Sequence, residues 1–96
     1  MANICTNDFY AFSNNYENLK YIADFLDTHF DETADVDGEF LYAIFESKWT
    51  FPEELMEDLY NNLPDKDDIY MRCLSYEFGN EYHELMICDE NGWQSK

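Results

Sequence analysis

The sequence predicts a small α+β domain: a two-layer sandwich in which a four-stranded sheet carries two helices on one face, in the order β-α-β-α-β-β. Three observations carry this reading. Two segments repeat apolar residues at helical spacing. Four short runs are rich in aromatic and aliphatic residues and are bounded by polar or turn residues. The two kinds of segment mostly alternate, so each helix can cross the same face between strands. Ninety-six residues suit one domain spanning 1–96, with no internal repeat, linker or low-complexity tract.

The first strand is Ile4 to Phe12, followed by a break at Ser13, Asn14 and Asn15. Asn14 and Glu17 have the spacing of a capping box, in which the Asn side chain takes a free backbone N–H and Glu17 reaches back. Leu19, Ile22, Ala23, Leu26 and Phe30, with Tyr16 on the same side, then mark a helix from about residue 15 to residue 30. Asp31 to Glu39 reads as an acidic loop. Phe40 to Phe45 is a second strand running on toward Trp49. Thr50 and Glu53 suggest a second capping box, Pro52 suits a first helical turn, and Leu55, Met56, Leu59 and Leu63 form an apolar stripe ending at Pro64. The last two strands, Ile69 to Phe78 and Glu81 to Cys88, flank Gly79-Asn80, a two-residue hairpin turn. That turn pairs Phe78 with Glu81, Tyr76 with His83, Leu74 with Leu85 and Cys73 with Met86. Apolar residues fall on both faces of the hairpin, so the sequence does not say which is core. The tail after Asp89 holds a turn at Asn91-Gly92 and then Trp93.

Charge narrows the partners. Twenty-two Asp and Glu oppose five Lys and Arg, for a formal net charge of −17. Duplex DNA carries that charge in about eight or nine base pairs, ~29 Å of its length. Lys20, Lys48, Lys66, Arg72 and Lys96 cannot build a basic groove, so direct nucleic-acid binding is not expected, nor is docking on anionic lipid. A charged partner should be basic. Eight Phe, eight Tyr and two Trp exclude the composition of a disordered chain. No run approaches a membrane span and no basic n-region with a long apolar stretch opens the chain, so free thiols in a reducing cytosol are expected for Cys5, Cys73 and Cys88.

Catalytic and metal chemistry find little support. Asp35 to Glu39 resembles part of a calcium loop, but aligning Gly38 with the sixth position puts Thr33 first and Ile44 twelfth, where a bidentate Glu is needed. His83 alternates to the opposite hairpin face from Cys73 and Cys88, so no thiol–imidazole pair forms within the hairpin. His29 is placed to meet the last carbonyls of the first helix. A phosphate-cradling glycine loop is missing, and most carboxylates fall at exposed positions, where nothing separates their pKa values. No enzyme activity, cofactor or metal is therefore expected.

Met1-Ala2-Asn3 with a Cys nearby, Lys48-Trp49 followed by Phe51-Pro52, and the Tyr76-Glu77-Phe78-Gly79 hairpin together resemble the YubB-like ferredoxin-like domain of proteins carried by bacteria, plasmids and phages. The resemblance implies a ferredoxin-like fold and a mobile-element setting in a bacterial cytosol, where small accessory proteins often interfere with host defence. It transfers no catalytic role.

Two functional readings follow. In the first, the domain is a nucleic-acid mimic: Asp24, Asp27 and Asp31 along the first helix, Glu53, Glu54, Glu57 and Asp58 on the second, and Glu32, Asp35 and Asp37 in the intervening loop stand in for phosphates. They would occupy the basic groove of a DNA- or RNA-binding protein, as an anti-CRISPR or anti-restriction inhibitor does. In the second, the charge confers only solubility, and the domain is a small interaction or regulatory module using an apolar or mixed surface. Trp93 is the candidate anchor there, for a partner or a homodimer, and Trp49 is expected in the core.

Overall fold

A computed structural model describes residues 4–77, 79 and 82–96. Its elements are β1 (Ile4–Phe12), α1 (Tyr16–Phe30), β2 (Asp35–Asp37), β3 (Phe40–Lys48), α2 (Glu53–Asn61), β4 (Tyr70–Glu77), β5 (Tyr82–Asp89) and β6 (Gly92–Ser95). The strands form one sheet in the order β2-β3-β1-β4-β5-β6, antiparallel throughout. The four-stranded ferredoxin-like arrangement β-α-β-α-β-β is thereby corrected to a six-stranded antiparallel sheet with two helices.

Both additional strands arise from tight turns. Asp37 pairs with Phe40, leaving Gly38 and Glu39 as a two-residue loop, and Gly38 has φ +63. This positive φ matches the twist of a two-residue hairpin, and glycine adopts it without a Cβ clash. Part of the expected acidic loop is therefore an edge strand. In the tail, Asp89 pairs with Gly92 (φ +90), and Asp89 Oδ1 accepts a 2.8 Å hydrogen bond from the Asn91 N–H inside the turn. In the β4–β5 hairpin, Tyr76 lies opposite His83, Leu74 opposite Leu85 and Cys73 opposite Met86. The expected Phe78–Glu81 pair and Asn80 of the turn lie outside the described residues.

Alternation along the strands divides the sheet. Phe9, Ala11, Leu41, Ala43, Phe45, Met71, Cys73 and Cys88 point to one face and are buried there with Leu19, Ile22, Phe25 and Leu26 of α1 and Met56 and Leu59 of α2. Both helices therefore cover the same face, α1 packing over β3 and α2 against β6. The ring of Phe30 sits 4.3 Å from that of Phe45. Each large apolar side chain buried in this layer contributes about 1.5–3 kcal/mol, so this one layer supplies most of the driving force.

Several local expectations change. The cap of α1 is Asn15, not Asn14: its Oδ1 accepts the Glu17 N–H at 3.0 Å. Tyr16 is 62% exposed, and Asn18 and Phe25 join Leu19, Ile22 and Leu26 on the inward side. Thr50 does not cap α2, whose N-cap position is held by Pro52 without a side-chain bond. Instead the Thr50 N–H donates to the Lys48 carbonyl at 2.8 Å across Trp49, whose φ is +71. This is a γ-turn with a non-glycine residue in a sparsely populated conformation. Trp49 is 56% exposed rather than in the core.

Asn18 ties the two ends of the fold together. Its Nδ2 donates to the carbonyls of Asp65 (2.7 Å) and Asp68 (2.9 Å) and to Ser13 Oγ (3.2 Å), while its Oδ1 accepts the Asp65 N–H at 2.9 Å. A fully buried amide thus anchors the loop between α2 and β4 to the start of α1.

Candidate functional site

The outward sides of α1 and α2 carry most of the acidic residues singled out from the sequence. Within the two helices stand seven carboxylates and one lysine, Lys20. Asp24 and Asp27 are exposed on α1, and Glu53, Glu54, Glu57 and Asp58 are exposed on α2. Asp31 closes α1 in the left-handed conformation (φ 54), donating its N–H to the Asp27 carbonyl at 3.2 Å. Glu32 follows, half-buried. Asp24, Asp27 and Asp31 are three and four residues apart, which places them on one side of the helix, about 5–6 Å between successive Cβ atoms. Asp27 and Asp31 also sit at the negative end of the α1 dipole, where an anion is unfavourable.

Asp35 and Asp37 separate from this group. They pair with Tyr42 and Phe40, both on the face that the helices leave uncovered. The acidic residues singled out from the sequence therefore divide between the helical layer and a rim along the β2 edge of the opposite face, and Glu46, Asp67 and Glu90 are exposed outside both.

Trp93 turns inward. Its indole Nε1 donates to the Met56 carbonyl at 2.8 Å, and its ring meets Phe51 edge-on at 5.2 Å. It pins β6 to α2. The indole left in solvent is Trp49, at the end of β3 and four residues before Glu53. Its exposure follows from its backbone conformation, which no sequence pattern signals.

The uncovered face is built from the other alternate residues of the same strands: Phe40, Tyr42 and Ile44 of β3, Ile4, Asp8 and Tyr10 of β1, Arg72 and Leu74 of β4, Leu85 and Ile87 of β5. Of the eight exposed large apolar side chains among the described residues, five lie on this one face: Ile4, Phe40, Tyr42, Ile44 and Leu74. A shallow depression of about 400 Å³ lies at its centre, lined by Asp8, Tyr10, Tyr42, Arg72, Leu74 and Leu85. The Arg72 guanidinium lies over the Tyr10 ring, 4.6 Å from its centre.

The thiols lie on the covered face. Cys5, Cys73 and Cys88 are free and buried. Burial pushes the Cys73 and Cys88 thiols up to about 12, and the charges of Asp89 and Glu57 add to the effect at Cys88. Burial raises the Cys5 thiol as well. Such thiols behave as small apolar groups rather than nucleophiles. His83 is exposed opposite Tyr76 on the other face. His29 stacks its ring 4.2 Å from that of Phe25. Among the described residues, no three His, Cys, Asp or Glu side chains converge as metal ligands, and no helix is long and apolar enough to cross a membrane.

No protein-family model, curated protein or solved structure matches this chain.

Proposed function

We propose that this chain is a non-enzymatic acidic binding protein of the bacterial cytosol whose helical layer substitutes for a nucleic-acid backbone. Its partner is a basic, nucleic-acid-binding protein, and occupying that protein's groove inhibits it, as a phage or mobile-element counter-defence protein would. One observation carries the reading: both helices pack on the same side of the sheet, so seven helical carboxylates share one layer with a single helical lysine. A body of 40 × 26 × 20 Å bearing −17 has the charge and size of a short duplex segment. The mechanism is electrostatic steering followed by release of the partner's bound anions as the carboxylates take their places. Trp49, beside the acidic first turn of α2, offers a ring on which an arginine of the partner can stack.

The test starts with capture from the native cell and elution by salt. The recovered partner is then titrated in competition with duplex DNA and with RNA. Binding should weaken steeply with salt, and the combined Asp24→Lys, Asp27→Lys and Asp31→Lys variant should lose competition while keeping its circular dichroism spectrum. Affinity that is insensitive to salt, or retained by that variant, moves recognition off the helices and returns the charge to a solubilising role.

A further inference from the structure

We infer that the uncovered sheet face is a homodimer interface, with two copies packed sheet to sheet and their acidic helical layers turned outward. The inference does not depend on which partner the helices bind.

Area supports it. The four long strands, about 4.8 Å apart and about 3.3 Å per residue, span roughly 19 by 28 Å; with the short edge strands and side-chain relief the accessible area is on the order of 700–800 Å² per copy, near that of a standard interface. The apolar content sits where a dimer needs it. Tyr42 and Ile44 of β3 and Leu74 of β4 are 42%, 45% and 39% exposed on either side of β1, whose Tyr10 and Asp8 lie between them.

Charge selects the occupant. Arg72 stands at the centre of the patch, and Asp8 lines the same depression. At the centre a basic partner would bring like charge onto Arg72 and a nucleic acid would bring like charge onto Asp8, whereas the other carboxylates of the face, Glu46 late in β3 and Asp35 and Asp37 on the β2 edge, lie toward its rim. A second copy supplies both signs. In a two-fold arrangement the Arg72 of each copy can reach the Asp8 of the other. Association by strand addition at the β2 edge is disfavoured, because it would place Asp35 and Asp37 against their own copies.

The large net charge does not forbid this geometry. Packed sheets lie about 10 Å apart with a helical layer about 10 Å beyond each, so the two helical layers stand roughly 30 Å apart, well beyond the ~8 Å Debye length of physiological salt. Dimerisation should therefore tighten as salt rises, the reverse of binding by the helical face.

The experiment is sedimentation equilibrium of the full chain over a range of protein concentrations, at about 10 mM and about 150 mM salt, where the Debye length falls from ~30 to ~8 Å. The expected result is a species of twice the 11.5 kDa chain mass, with micromolar or tighter dissociation, tightening with salt. Ile44→Lys and Leu74→Lys, on separate strands, should each weaken it at least about tenfold without altering the thermal melt taken at a protein concentration low enough to keep the chain monomeric. Both substitutions reduce the net negative charge, so weaker association cannot come from added long-range repulsion. Asp24→Lys, on the helical face, should leave the dimer in place. A monomer at every salt and protein concentration, or a dimer unaffected by both sheet-face variants, overturns the inference.

Discussion

The two faces of the sheet are made from alternate residues of the same strands, yet they carry opposite kinds of information. On β3, Leu41, Ala43 and Phe45 point inward and Phe40, Tyr42 and Ile44 point outward. Both sets are apolar. The inward set is sealed by α1 and α2, and the polar residues that a solvated face would need are displaced to the far sides of those helices. The outward set has no helix above it. An antiparallel sheet with one free face normally alternates apolar and polar residues. Here that alternation is weak across β3, β4 and β5, which sets the uncovered face apart from an ordinary solvated one. The helical surface is the complement: densely charged, with Tyr16 as the one exposed large apolar side chain among the described residues of the two helices. On the two proposals, salt should weaken association through the helical surface and strengthen association through the sheet face.

Substitution of neighbours on one strand breaks this comparison most sharply. Phe45→Ala, at a fully enclosed site stacked on Phe9 and Phe30, should cost about 3–5 kcal/mol. Ile44→Ala, one residue earlier, should cost at most about 1 kcal/mol in the monomer. Urea denaturation at a protein concentration low enough to keep the chain monomeric measures both. Equal losses would mean that the outward face is already covered within one chain.

Next in size is Asn18→Ala. It strands the amide and carbonyl partners contributed by Asp65 and Asp68 in a buried site, and should cost about 2–3 kcal/mol. The loop between α2 and β4 should then exchange its amide hydrogens faster, while the open face of the sheet is unchanged.

The covered face also has a pH signature. An unfolded chain loses a thiol proton near the ordinary value of 9.0, whereas the folded chain holds that of Cys73 until about 12. The folded-state value is raised, so this contribution is fully present below the unfolded value and is lost as pH climbs toward the folded one. The slope approaches about 1.4 kcal/mol per pH unit only above the unfolded value, so about 1 kcal/mol of stability disappears between pH 9 and 10 for each such thiol. Denaturation midpoints should be flat from neutrality to about pH 8 and then fall, and Cys73→Val should remove its share of the slope. A stability that is level to pH 11 would place the thiols in contact with water.

Much of this was legible in the sequence. The helical repeats located α1 and α2, and the hairpin turn set the register of Leu74 with Leu85 and of Tyr76 with His83. The strand count was not obtained, although the signal was present: Gly38-Glu39 ahead of an apolar run is a two-residue hairpin turn with glycine at its first position, and the acidity of the segment masked it. β6 is only four residues long and is held by the packing of Trp93 on α2, a contact between distant parts of the chain. The positions of the two tryptophans were exchanged for the same reason. The outward placement of Trp49 depends on a positive φ that local pattern does not encode. The face of the β4–β5 hairpin could not be chosen because both sides are apolar, and the structure traces that ambiguity to the uncovered face itself. The acids on the helices were readable because exposure follows from helical periodicity; the separation of Asp35 and Asp37 from them required knowing that β2 exists.

The smallest expected effect tests whether the acidic layer is selected for something other than stability. Asp27 lies in the last turn of α1 with its charge at the negative end of the helix dipole, three residues from Asp24 and four from Asp31. Replacing it with lysine removes two like-charge neighbours, reverses the dipole interaction and raises helix propensity. Asp27→Lys should therefore stabilise the chain by about 0.5–1 kcal/mol, more at low salt than at high salt, as read from the urea midpoint. If the same substitution also weakens capture of a basic partner, stability and binding are opposed at this residue, as expected of charge retained for recognition. If it stabilises the fold and leaves partner binding intact, the crowding on α1 has no role in recognition, and the sheet face becomes the stronger claim on function.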